Sequence, residues 1–177
     1  MLIDVLSQQR DTICKKWVER IFAAYPPETS KFLRDKKDQF SNPVGHTIRI
    51  ETRVLFDALL DGVEPEALKT SLDNIVKIRT VQDFTAAQAG SFIFLLKNVL
   101  REELADQLSD RETVDCLLAF ESKIDGLALM AFDHYVHNKV SIYEIRAREA
   151  KRKSEMLIKQ VNRIYEGQPL PDENQES

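Results

Sequence analysis

Apolar residues recur three and four positions apart through most of the chain, the spacing of one helix face. From Leu2, the positions Leu6, Ile13, Trp17, Ile21 and Ala24 keep that spacing until Pro26-Pro27 ends it, which predicts a first helix of about six turns. A shorter helix is expected from Thr29 to Phe40, with Phe32 and Leu33 as its apolar face and Lys31, Arg34, Lys36 and Lys37 toward water. Ser41-Asn42-Pro43 reads as the next start: Asn42 offers an acceptor to free backbone N–H groups, and Pro43 lies where its missing N–H costs nothing. Gly62, after Asp61, suits the left-handed position that closes this helix. Pro65 opens another, with Leu68, Leu72, Ile75, Val76 and, unusually, Arg79 along one side. Thr85 and Gln88 form a capping-box pattern ahead of Ala89, Phe92, Ile93, Phe94, Leu95, Leu96, Val99 and Leu100, a run apolar almost all round that belongs in the middle of a domain.

A second box, Ser109 with Glu112, starts the last helix, and no proline interrupts the chain from there to Pro169. About 55 residues of helix would reach roughly 80 Å, longer than a domain of this size is wide. Its first half carries Leu117, Phe120, Ile124, Leu127 and Ala131 at ordinary core spacing. Its second half carries Val136, Val140, Tyr143, Ala147, Ala150, Ser154, Leu157, Val161 and Ile164, alternating by four and three as the seam of a two-stranded coiled coil does. Ala147, Ala150 and Ser154 make the centre of that seam soft. The same pattern also fits a single amphipathic helix folded back on its own domain. From Gly167 the tail, with Pro169, Pro171 and acidic residues, is expected to be disordered.

Composition narrows the class. Of 177 residues 43% are apolar, and only 5 are Gly and 6 Pro, which disfavours both a disordered chain and a turn-rich all-β fold. A net charge of -4 removes the broad basic footprint of a nucleic-acid binder. The longest uncharged stretch, Phe84 to Leu96, is well short of the roughly 20 residues that cross a bilayer, and Asp4 interrupts an N-terminus with no secretory pattern. Cys14 and Cys116 are isolated, so two reduced, buried thiols in a cytoplasmic protein are expected.

Catalytic constellations are scarce. His134 and His137, with Asp133, share a helix face and supply too few ligands for a metal site. His46 sits in the first turn after Pro43, where a haem ligand in a deep apolar pocket is not expected. Arg146, Arg148, Lys151, Arg152 and Lys153 are interleaved with Glu144, Glu149 and Glu155, a solvated coiled-coil flank. Arg79, with Gln82 and Asp83 beyond it, is the most unusual polar feature. If buried, its guanidinium needs a carboxylate, and Asp83 is the nearest in sequence. Arg79, Gln82 and Asp83 thus form a candidate structural or partner-contacting cluster.

The run from Ile75 to Ala89, Ile-Val-Lys-Ile-Arg-Thr-Val-Gln-Asp-Phe-Thr-Ala-Ala-Gln-Ala, with Asn42-Pro43-Val44-Gly45 and the Leu59 to Gly62 helix end, resembles the RsbRD N-terminal domain family, the sensory domains of bacterial RsbT co-antagonists. The similarity spans roughly Met1 to Tyr135 and is most specific from Arg79 to Ala89. It implies a globin-like helical fold that holds no haem, forms a homodimer, and hands a signal onward through a long C-terminal helix. Ala86 stands where the family often has proline. The STAS output domain with its phosphorylatable threonine does not follow, so a stand-alone sensory or adaptor member is expected.

The expected organisation is a globin-like sensory domain over 1–135, a helical extension over 136–166 that pairs as a coiled coil, and a tail over 167–177. The expected role is a non-enzymatic, cytoplasmic regulatory module of stress signalling. It would act through dimer geometry and an unknown regulatory protein partner, with no cofactor, metal, nucleic acid or membrane insertion. Two alternatives stand beside it: a globin relative that takes haem or a small apolar molecule between its central helices, and an accessory protein of a sulfite-reduction-linked membrane redox complex.

Overall fold

The computed structural model describes residues 2–35, 38–62, 65–108 and 110–167, with backbone alone at 65–67. The structure is all-α with a long C-terminal helix, and no strand occurs among the described residues. The helices are α1 (Leu2–Gln8), α2 (Arg10–Ala23), α3 (Pro27–Asp35), α4 (Pro43–Asp61), α5 (Pro65–Val81), α6 (Ala86–Glu103) and α7 (Arg111–Tyr165), with a 3-10 turn at Ala105–Gln107. Residues 1–138 and 139–177 form two separate compact units.

In the first unit α2 packs against α3, α4 and α6, α4 against α5, and α1 against α2 and α4. Trp17, Phe22, Phe56, Phe92, Leu6, Ile13, Ile48, Leu72 and Ile75 are fully buried between them. The first half of α7 contributes Leu117, Phe120, Ile124, Leu127 and Ala131 to the same core. Each large apolar side chain so buried contributes about 1.5–3 kcal/mol. A polar clasp joins α6 to α7: Arg101 donates from Nε and Nη2 to the two oxygens of buried Glu121, both at 2.7 Å.

Local chemistry sets the helix ends. Asn42 accepts from the Gly45 N–H at 2.8 Å, and its amide donates to the Leu33 carbonyl at 3.1 Å, so one fully buried side chain caps α4 and ties it to α3. Gly45 is required there, because a Cβ would lie 2.3 Å from the Asn42 amide nitrogen. Gly62 closes α4 in the left-handed conformation, φ 65°. The Thr85–Gln88 capping box at α6 is complete in both directions. At α7 the Asp110 carboxylate accepts from the Thr113 N–H at 2.8 Å, and these bonds hold its pKa below the usual aspartate value. Ser109, expected to lead a capping box, lies outside the described residues, as does the tail from 168 onward.

Three expectations are corrected. The first helix is two, broken at Gln9 (φ −93°, ψ 7°) with no Gly or Pro to announce it; α1 buries Leu2 and Leu6. On α3 it is Ser30 that accompanies Leu33 inward, and Phe32 is exposed. Cys14 is buried, but Cys116, one position before Leu117 on α7, is exposed; both are free thiols.

The second unit contains α7 beyond Asn138. Every side chain from Tyr143 to Tyr165 is exposed. Its side-chain contacts include a Lys151–Glu155 ion pair at 4.0 Å, four residues apart, of a kind that contributes about 0.2–0.5 kcal/mol, and the Lys139 ammonium over the Tyr143 ring at 5.9 Å.

Candidate functional site: an arginine boxed by rings and an apolar helix seam

Arg79 lies at the end of α5 and is 2% exposed. The chain turns there through a Schellman motif: the Phe84 N–H donates to the Arg79 carbonyl and the Asp83 N–H to the Thr80 carbonyl, both at 3.2 Å, with Asp83 at φ 58°. That motif brings its flanking residues together, and the Arg79 guanidinium carbon lies 4.9 Å from the centre of the Phe84 ring. Phe92 of α6 is at 5.4 Å and Tyr25, just after α2, at 5.5 Å.

Burial alone explains most of this group's electrostatics: it pulls the Arg79 pKa down from the ordinary arginine value, while Tyr25 acts in the opposite direction. The expected carboxylate is not among the groups that shift it. Arg79 Nε and Nη1 are buried with no hydrogen-bond partner among the described residues. Desolvating a guanidinium costs several kcal/mol, and a desolvated cation–π contact returns about 2 kcal/mol or more per ring. Three rings are therefore of the right size to offset the burial. Asp83 and Gln82 are exposed. Asp83 serves the backbone by holding the left-handed position, and Gln82 accepts from the Tyr25 hydroxyl at 3.1 Å.

The ring box reaches four helices. Tyr25 meets Phe84 edge-on at 5.4 Å, and Trp17 of α2 stacks on Phe92 at 6.2 Å while its indole N–H donates to the Phe92 carbonyl at 2.7 Å. Tyr135 of α7 donates from its hydroxyl to the Phe84 carbonyl at 2.9 Å. Nearby, Asp73 of α5 accepts from Asn138 Nδ2 at 2.9 Å and faces His134 Nδ1 at 3.3 Å. These bonds tie the α5–α6 turn to α7 at Tyr135, immediately before the seam begins.

The seam positions are exposed along α7: Val136 47%, Val140 50%, Leu157 61% and Ile164 60%, with Tyr143 and Val161 between these values. Ala147, Ala150 and Ser154 are exposed as well. The other candidates stay apart. His134 is engaged with Asp73, His46 is half-buried in the first turn of α4, and no group of three or more His, Cys, Asp or Glu among the described residues could hold a metal ion. No helix of the described residues is long and apolar enough to cross a membrane. Sequence reasoning singled out Arg79 and missed the rings, because Tyr25 and Phe92 reach it only through the packing of α2 and α6 on α5.

No curated protein and no solved structure matches the chain. The family model of the RsbT co-antagonist protein RsbRD N-terminal domain matches residues 11–150, which takes in the ring box, the α5–α6 turn and the start of the seam. The chain therefore belongs to the RsbT co-antagonist RsbRD N-terminal domain family.

Proposed function

We propose that this chain is a non-enzymatic, cytoplasmic sensory domain of stress signalling that works as a homodimer. In this reading, rearrangement of the first unit is passed through the second half of α7 to a regulatory protein partner. One observation carries it: a 4-3 spaced apolar series on α7 whose large members are about half exposed or more. An amphipathic helix gains most of its stability from packing, and a second copy of the same seam supplies a matching face. The Tyr135 hydroxyl bond to the α5–α6 turn, one residue before Val136, supports this reading, in which the ring box biases the input side of that helix. The soft centre at Ala147, Ala150 and Ser154 would let two strands rotate or slip at small cost in packing, the property a two-state relay needs. Sedimentation equilibrium on the full chain tests the reading: a dimer at tens of micromolar is expected, and a monomer at that concentration contradicts it.

A further inference from the structure

On the opposite side of α2 from α6, helices α2, α3 and α4 enclose an open cavity of about 330 Å³. Its charged lining is Lys15, Arg34, Arg49 and Arg53 against Asp11 and Glu19. Both carboxylates are already matched: Arg34 Nε donates to Glu19 at 2.9 Å, and Arg53 Nη2 lies 2.9 Å from Asp11. Glu19 also acts on Arg49, and with four cations against two carboxylates the lining keeps an excess of positive charge. Cys14 adds no negative charge at neutral pH, since burial pushes its thiol up to about 11.

Arg49 is held in place before any ligand arrives. Its guanidinium carbon lies 4.9 Å from the centre of the Phe22 ring, and Nη2 donates to the Leu33 carbonyl at 2.6 Å. That carbonyl is the one that also receives the Asn42 amide. Nη1 is buried and finds no hydrogen-bond partner among the described residues. Arg79 also has unpartnered nitrogens, but three rings surround it; Arg49 has one ring on one face and lines a cavity. A guanidinium fixed in the wall of a cavity is a permanent cation that favours an anionic ligand. Buried Cys14 and Val18 line the same space and suit an apolar body attached to that anionic group.

We propose that this cavity is a binding site for a small organic monocarboxylate, its negative charge held by the Arg49 and Lys15 cations and its apolar body lying against Val18 and Cys14. The site spans α2, α3 and α4, so occupancy would bear on how these three helices pack, and it stands whether or not the long helix pairs. Isothermal titration calorimetry on the full chain at constant ionic strength, with benzoate, butyrate and inorganic phosphate as probes, tests it. Saturable binding of benzoate or butyrate at one site per chain is expected, weakened about ten-fold or more by Lys15→Gln and lost in Arg49→Gln. Lys15 is exposed, so its variant carries the test even if Arg49→Gln fails to fold. Absence of binding by both carboxylates, or binding unchanged by Lys15→Gln, overturns the site. Phosphate binding in preference to both carboxylates overturns the ligand class.

Discussion

The two halves of α7 use one kind of pattern for opposite ends. Leu117, Phe120, Ile124, Leu127 and Ala131 are at most 5% exposed, whereas Val136, Val140, Leu157 and Ile164 farther along the same helix are 47–61% exposed. Helical spacing of apolar residues thus identifies a face that is to be covered without saying what covers it. In the first half the cover is the chain's own α-helical core; in the second, on the reading above, it is a second copy. The charged flank tells the two apart: Arg146, Arg148, Lys151, Arg152 and Lys153 alternate with glutamates only beyond the first unit.

The contrast can be broken most forcefully inside the first unit. Arg79→Ala would empty a site between Tyr25, Phe84 and Phe92 and forfeit the cation–π contacts, lowering unfolding free energy by about 3–5 kcal/mol in urea melts. Arg79→Met, which keeps the bulk and discards the charge, is expected to cost much less, because no hydrogen-bond partner of Nε or Nη1 is stranded. An Arg79→Met loss as large as that of Arg79→Ala would mean that the charge itself, and not the bulk of the side chain, holds the site.

Ile124→Ala and Leu157→Ala sharpen the comparison directly. Ile124 is fully buried, and its truncation should cost about 2–5 kcal/mol of stability at any protein concentration. Leu157→Ala should leave the melting of the first unit unchanged and weaken self-association instead. In the other direction, Ala147→Leu with Ala150→Ile should tighten the dimer; each larger side chain contributes on the order of 1.5 kcal/mol or more when buried at the seam, and sedimentation would register the change.

Asn42→Ala removes a buried cap and is expected to cost about 1–2 kcal/mol by thermal melting. Lys77→Ala, exposed on α5, should stay within about 0.5 kcal/mol. The smallest effect concerns pH. The Asp110 and Asp38 carboxyls are both held below the ordinary aspartate value by hydrogen bonds, from Thr113 and Ser41 respectively. A depressed carboxyl contributes stability above its unfolded pKa and loses it as the pH falls through the folded value. Unfolding at pH 3 should therefore be slightly easier than at pH 5, and Asp110→Asn should flatten part of that difference.

The caps and stripes were legible in the sequence because they are local. Asn42-Pro43, Gly62, and Thr85 with Gln88 act on backbone groups within one helical turn, and Leu68, Leu72, Ile75 and Val76 share a face by spacing alone. What escaped is what packing decides. Nothing at Gln9 resembles a helix breaker, and the break there separates α1, which packs on both α2 and α4, from α2. The left-handed backbone of Asp83, which closes α5, follows from the packing of the turn and has no local signal beyond the residue type. The neighbours of Arg79 come from α2 and α6, out of reach of any local rule. Arg49 and Arg53, one turn apart on α4, were a visible signal for the cationic cavity, but only the approach of α3 supplies its remaining wall.

Hydrogen exchange along α7 at a series of protein concentrations tests the central claim most directly, since it reads both halves of one helix in one experiment. The account predicts that amides from Leu117 to Ala131 stay protected at every concentration, while those from Val140 to Ile164 are protected when the protein is concentrated and lose that protection on dilution through the association midpoint. Exchange in the second half that does not change with concentration would contradict it.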